Sequence, residues 1–89
     1  ALLDQFSDAF ITLPGGAGTM EEFFEIWVGR SLGFHNKPVI ILDPHDFYKP
    51  LKIFIEYLAE QKFLKPHQLE HIIWTTTIEE ALDACISNS

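Results

Sequence analysis

The sequence predicts an α/β fold: a parallel sheet with flanking helices, in the order β-α-β-α-β-α. Three observations lead there. Short, continuous apolar runs end in turn residues, as strands buried on both faces do. Between and after them the apolar residues recur at helical spacing. A glycine-rich turn joins the first run to the first helix, the connection typical of open sheets with right-handed crossovers.

In the first element, Ala9-Phe10-Ile11-Thr12-Leu13 is β-rich and closed by Pro14-Gly15-Gly16, which marks a buried strand running into a tight loop. A helix follows over residues 19–32, where Met20, Phe23, Phe24 and Trp27 keep the i, i+3, i+4, i+7 pattern and Ile26 and Val28 widen the stripe. Gly33 is its natural stop. After Pro38, Val39-Ile40-Ile41-Leu42 forms the second buried strand, ended by Asp43-Pro44. Asp46 offers a cap to a second amphipathic helix, in which Leu51, Phe54, Ile55 and Leu58 recur and whose first turn accommodates Pro50. His67-Gln68-Leu69-Glu70-His71 reads as a solvated connector, and Ile72-Ile73-Trp74-Thr75 as a third, weaker strand. Thr77-Ile78-Glu79-Glu80 is a capping box opening a last helix with Ile78, Ala81, Leu82 and Cys85 as its apolar stripe.

With 89 residues the chain fits one small domain, and its 47% hydrophobic content is more than so small a surface easily hides. Something else is expected to cover part of it: a preceding segment of the same domain, a second copy, or both. Residues 1–6 read like the tail of a helix already under way, no Met begins the chain, and three strands are few for a finished sheet. Residues 1–89 are therefore expected to be the C-terminal part of a single α/β domain.

Six basic residues against thirteen acidic ones, a net charge of −7, leave no basic stripe for a nucleic-acid backbone. The single cysteine, Cys85, excludes an internal disulfide, and the default compartment is a reducing cytoplasm. No apolar run approaches the roughly 18 residues of a membrane span, and no signal peptide is evident. His67 and His71 match an H-x-x-E-H zinc pattern, but no third ligand is in view, so no metal is expected. Lys37, Lys49, Lys52, Lys62 and Lys65 are scattered, without a pocket motif for a Schiff base, and no cofactor is implied.

The chemistry concentrates in Pro14-Gly15-Gly16-Ala17-Gly18-Thr19. Gly15, Gly16 and Gly18 let the backbone approach a phosphate, the helix start supplies free amides and a positive dipole end, and Thr19 adds a hydroxyl. The pattern is neither a P-loop nor a full dinucleotide fingerprint, so a single phosphate is the simpler ligand; a plain tight turn is the bland alternative. Glu22 stands one turn inside the helix, facing whatever the loop binds, with Glu25 at i+3 and Pro14 at the rim as further edges of the site. Thr19-Met20-Glu21-Glu22 is also a capping-box pattern, which would turn Glu22 back onto the backbone.

Pro14-Gly15-Gly16-Ala17-Gly18-Thr19-Met20-Glu21-Glu22 resembles the PGGxGTxxE motif of the Lonely Guy proteins, the cytokinin riboside 5′-monophosphate phosphoribohydrolases. Ser7-Asp8-Ala9-Phe10-Ile11, Leu32-Gly33-Phe34-His35-Asn36-Lys37-Pro38-Val39 and Asp46-Phe47-Tyr48-Lys49-Pro50-Leu51 are also similar to that family. The resemblance implies a Rossmann-like homodimer that splits AMP or an N6-modified AMP into free base and ribose 5-phosphate. Glu22 would be the catalytic carboxylate, and Gly15, Gly16, Gly18 and Thr19 the phosphate site. The family's catalytic arginine falls upstream of Ala1, which implies that the isolated chain is inactive. Where many members carry Trp-Ala-Gln before Leu-Gly, this chain has Gly29-Arg30-Ser31.

The loop by itself also suits a carrier that binds a nucleotide or a molybdopterin without catalysis. The apolar arc of the first helix covers roughly two thirds of its circumference, wider than one core face needs, which suggests a dimer surface.

Overall fold

The computed structural model describes residues 9–87. The helix tail expected at residues 1–6, and Ser7-Asp8, lie outside them. Three strands, β1 (Phe10–Thr12), β2 (Val39–Leu42) and β3 (Ile72–Thr75), form a parallel sheet in the order β1-β2-β3. Four helices accompany them: α1 (Ala17–Ser31), α2 (Lys49–Glu60), α3 (Pro66–Glu70) and α4 (Ile78–Ser87). The predicted α/β architecture, part of a Rossmann-like sheet, is present.

Side chains alternate across a strand, so β2 sends Val39 and Ile41 to one face and Ile40 to the other. On the first face they meet Phe23 and Trp27 of α1, Ile55 of α2, and Tyr48. On the second, Ile40 packs with Ala9 and with Ala81 and Ala84 of α4. Cover on both faces is why β2 is apolar throughout instead of alternating with polar residues. The expected helical aromatics are core: the rings of Phe23 and Trp27 lie 5.9 Å apart, and Trp27 Nε1 donates to the Gln68 carbonyl at 2.7 Å, tying α1 to α3.

The structure corrects the reading in four places. First, α1 starts at Ala17 with Gly16 as its N-cap and no side-chain cap, so Thr19 sits inside the first turn and Thr19-x-x-Glu22 is not a capping box. Second, α2 is held at its start by Asp43, not Asp46. The Asp43 carboxylate accepts the Phe47 N–H at 2.9 Å and the Tyr48 N–H at 2.8 Å, while Asp46 takes a left-handed turn conformation with φ 57. Third, the connector over residues 66–70 is the short helix α3, with Pro66 at its first position and Gln68 Oε1 accepting the Lys65 N–H at 2.8 Å. Its five residues bury no side chain fully, and so leave no periodic signal. Fourth, only half of the expected stripe of α4 faces the sheet: Ala81 is buried and Cys85 packs beside it, whereas Ile78 and Leu82 are exposed and Ala84 takes the remaining contact. Small side chains let this helix lie close to the sheet. Phe54 of α2 likewise points out, and Ile55 takes the buried place.

The capping box of α4 forms as expected. Thr77 Oγ1 accepts the Glu80 N–H at 3.1 Å, and Glu80 Oε1 accepts from the backbone of Thr76 and Thr77. Those bonds, first that from the Thr76 backbone, hold the Glu80 carboxyl below its usual range.

Helices α1 and α2 end alike. Gly33 N–H bonds the Arg30 carbonyl and Phe34 N–H that of Gly29; Lys62 N–H bonds Ala59 and Phe63 N–H bonds Leu58. Both are Schellman closures, which require a left-handed residue: Gly33 with φ 84 and Lys62 with φ 67. Only the first is glycine. Gly33→Ala should therefore cost about 1 kcal/mol, and Lys62→Gly should stabilise by a similar amount. Urea midpoints of the two variants, read against the parent, should move in opposite directions.

Candidate phosphate-binding site

Residues 13–19 carry the chain from the carboxyl end of β1 to the start of α1, the position where open parallel sheets bind ligands. The loop is built in two halves. Its first half is anchored: the buried Tyr48 hydroxyl donates to the Leu13 carbonyl at 2.7 Å. Burial pushes this phenol's pKa up, the Gly15 N–H bonded to its oxygen works in the opposite sense, and the Asp43 charge adds to the rise. Gly15 lies against Thr19, so closely that a Cβ on Gly15 would drive into the Thr19 hydroxyl.

The second half is open. A Cβ on Gly16 or Gly18 would meet nothing within 4 Å. The first intrahelical bond is Met20 N–H to the Gly16 carbonyl at 3.1 Å, so the N–H groups of Ala17, Gly18 and Thr19 have no partner in the helix. No side chain caps them, and no acidic residue occupies the first turn. Free donors at the positive end of a 15-residue helix form a ready anion site.

Glu22 is exposed and follows Gly18 by four residues, which sets both on one face of α1 one turn apart. With the capping box excluded, its carboxylate is not folded back onto Thr19. Glu25 is exposed too, but with Glu21 it borders a groove of about 490 Å³ whose floor is Phe24, Val28, Leu32 and Phe34. Pro14 is exposed at the rim of the loop, while Thr19 is only 5% exposed and braces Gly15 from beneath. The structure thus brings Gly15, Gly16, Gly18, Thr19 and Glu22 to one end of α1 and sets Glu25 on the flank.

Sequence reasoning missed Tyr48 and Asp43. Both belong to the β2-α2 turn and reach the site only through the fold. His35, read as part of a surface loop, is structural: its Nδ1 accepts the Lys37 N–H at 3.1 Å, so its Nε2 carries the proton and donates to the Ile26 carbonyl at 3.0 Å. Arg30 donates to the Lys37 carbonyl and secures the same loop, which leaves it no part in the site. The rings of His67 and His71 lie 5.7 Å apart, and among the described residues no three His, Cys, Asp or Glu side chains converge as a metal site. Burial and the nearby Arg30 lower the pKa of His71. A second crevice of about 510 Å³, between Asp43, Lys49, Lys52 and Trp74, lies beyond the ends of β2 and β3. Neither crevice is lined by the glycine loop.

A family profile described as "Possible lysine decarboxylase" matches residues 1–85. The chain belongs to that family. Among curated relatives it is 44% identical, over 94% of its length, to a cytokinin riboside 5′-monophosphate phosphoribohydrolase of Rhodococcoides fascians, of which it covers 42%. To the enzyme of that name in Mycobacterium tuberculosis it is 34% identical over 94% of its length, covering 45% of the relative. For one from Arabidopsis thaliana the identity is 41% over 90% of this chain and 37% of the relative. The chain spans less than half the length of these relatives.

The two halves of the loop should respond differently to alanine. Gly15→Ala must displace Thr19 and should destabilise the fold by about 1–3 kcal/mol. Gly18→Ala, in the first turn of a helix with open space around it, should be neutral or stabilise by up to about 1 kcal/mol. Thermal unfolding of the two variants measures the contrast.

Proposed function

We propose that this chain is the C-terminal part of a Rossmann-like domain of a Lonely Guy hydrolase, which cleaves the N-glycosidic bond of adenine-type nucleoside 5′-monophosphates. The substrate would be AMP or an N6-modified, cytokinin-type AMP, and the products free base and ribose 5-phosphate. The observation that carries this reading is the open row of amides at the start of α1 with Glu22 one turn further along the same face. The relatives named for this reaction support it.

In this reading the 5′-phosphate sits on the amides of Gly18 and Thr19, with Gly15 and Gly16 letting it approach and Pro14 shaping the rim. Holding that end aims the sugar along α1 toward Glu22. Departure of the base leaves positive charge on C1′ and the ring oxygen, which a carboxylate stabilises; the same group takes a proton from the water that adds to C1′. The departing base takes up a proton, so the reaction consumes one water and needs neither metal nor cofactor. Glu25, on the flank, borders the site without touching the reacting bond. The decarboxylase of the family's description is the weaker reading, because no lysine stands in the glycine loop.

In the full-length protein, Glu22→Gln should abolish release of base and ribose 5-phosphate from AMP while leaving AMP binding intact; chromatography of the products and calorimetry together measure this. Retained binding with no release from either protein would instead favour a nucleotide or molybdopterin carrier. The isolated chain, without the arginine expected upstream of it, should not turn over.

The groove on α1 supports a homodimer. Val28, Leu32 and Phe34 are 48%, 64% and 80% exposed, a contiguous apolar surface that water disfavours. A second copy is the occupant proposed here, in a cytoplasmic protein that engages neither membrane nor nucleic acid. No described helix is long and apolar enough to cross a membrane. Light scattering at micromolar concentration should give a dimer mass that Leu32→Asp reduces to that of a monomer; a monomeric parent would overturn the assignment.

A further inference from the structure

The glycine loop is only as well aimed as its anchorage, and one side chain outside it supplies that. Leu13 lies just past the end of β1, where its carbonyl takes a 2.7 Å bond from the Tyr48 hydroxyl. The Gly15 N–H approaches the same oxygen. One phenol therefore bonds the backbone just before Pro14 and stands beside it just after.

Tyr48 is itself fixed. It is 4% exposed, its ring packs edge-on to Phe47 at 4.9 Å, and its backbone N–H bonds Asp43 Oδ2 at 2.8 Å. The second oxygen of Asp43 takes the Phe47 N–H, and Asp43 N–H bonds the Thr75 carbonyl at 2.8 Å. A chain of bonds thus runs from the end of β3 through Asp43 and Tyr48 to the loop at the end of β1. The hydrophobic core requires only the ring of Tyr48. A phenylalanine would fill the same space, so the hydroxyl's distinct contribution is its hold on the loop.

We propose that Tyr48 is the positioning residue of the phosphate loop: its hydroxyl fixes the turn at Pro14, and with it the direction in which the amides of residues 17–19 point, while Asp43 sets Tyr48. This rests on reading the loop as a phosphate site. Donors pre-aimed at an anion bind it without reorganising, so loosening the turn weakens the grip on phosphate and leaves the rest of the ligand's contacts in place.

The test uses Tyr48→Phe and Asp43→Asn in the full-length protein, with AMP and adenosine as paired ligands. Tyr48→Phe should raise both the Kd and the KM for AMP about tenfold, the scale of one lost hydrogen bond to a tightly held group, with kcat within about twofold of the parent. Adenosine, which lacks the phosphate, should bind both proteins equally, and Asp43→Asn should fall between parent and Tyr48→Phe. Unchanged AMP affinity in a folded Tyr48→Phe protein would overturn the proposal and leave the phosphate site standing. Parallel weakening of AMP and adenosine would overturn it as well, showing a structural role alone. A parent that binds no AMP would remove the phosphate reading and this proposal together. Should Tyr48→Phe fail to fold, the AMP-to-adenosine comparison on Asp43→Asn decides.

Discussion

The molecule is organised around β2, whose side chains Val39, Ile40 and Ile41 are at most 1% exposed. A strand can be sealed in this way only if both faces and both edges are covered. β1 and β3 take the edges, α1 and α2 one face, and α4 the other. That requirement determines where the loops emerge. With the strands parallel, the turns after β1, β2 and β3 gather at one end of the sheet, which is how the glycine loop, the Asp43–Tyr48 turn and the Thr75–Thr76 corner come to be neighbours. The site is a by-product of burying one apolar strand.

The glycine loop divides its labour in a way its composition conceals. Gly15 serves the fold, because Thr19 occupies the space a side chain would need. Gly16 is the N-cap of α1 and Gly18 lies in its first turn, and the space around both is open, so a side chain there would project outward. Without side chains there, the backbone of the first turn of α1 is left accessible from outside. Thr19 looks like a ligand-facing hydroxyl when met in sequence, yet in three dimensions its side chain braces the turn. Its backbone N–H remains available to an anion.

How much of this could be read from the residues follows from the range of the interactions involved. The strands were legible because burial on two faces leaves uninterrupted apolar runs, and α1 because Phe23 and Trp27 keep a strict spacing. The Gly33 stop and the Thr77–Glu80 cap were legible because each is closed by residues a few positions apart. What escaped depends on distant partners. The Tyr48 bond to Leu13 spans 35 positions, and that of Trp27 to Gln68 spans 41. The stripe of α4 was read as Ile78, Ala81, Leu82 and Cys85, and the sheet takes only its small members, Ala81 and Cys85, together with Ala84. Size alone at these positions does not show how close the helix must lie to the sheet. Ile78 and Leu82 are left exposed.

That choice has a dynamic side. A helix seated on two alanines removes far less apolar surface from water than one seated on a phenylalanine and a tryptophan, so α4 is held to β2 more weakly than α1 is. Proteins open in cooperative pieces whose free energies follow such differences. In the language of amide exchange, α4 would form the first shell to open, trading its protons while β2 and α1 stay closed. The opening would uncover Ile40 and Ala9 but leave the glycine loop, on the other helix layer, undisturbed. Thermal fluctuation of one face of the sheet would thereby be decoupled from the geometry of the glycine loop.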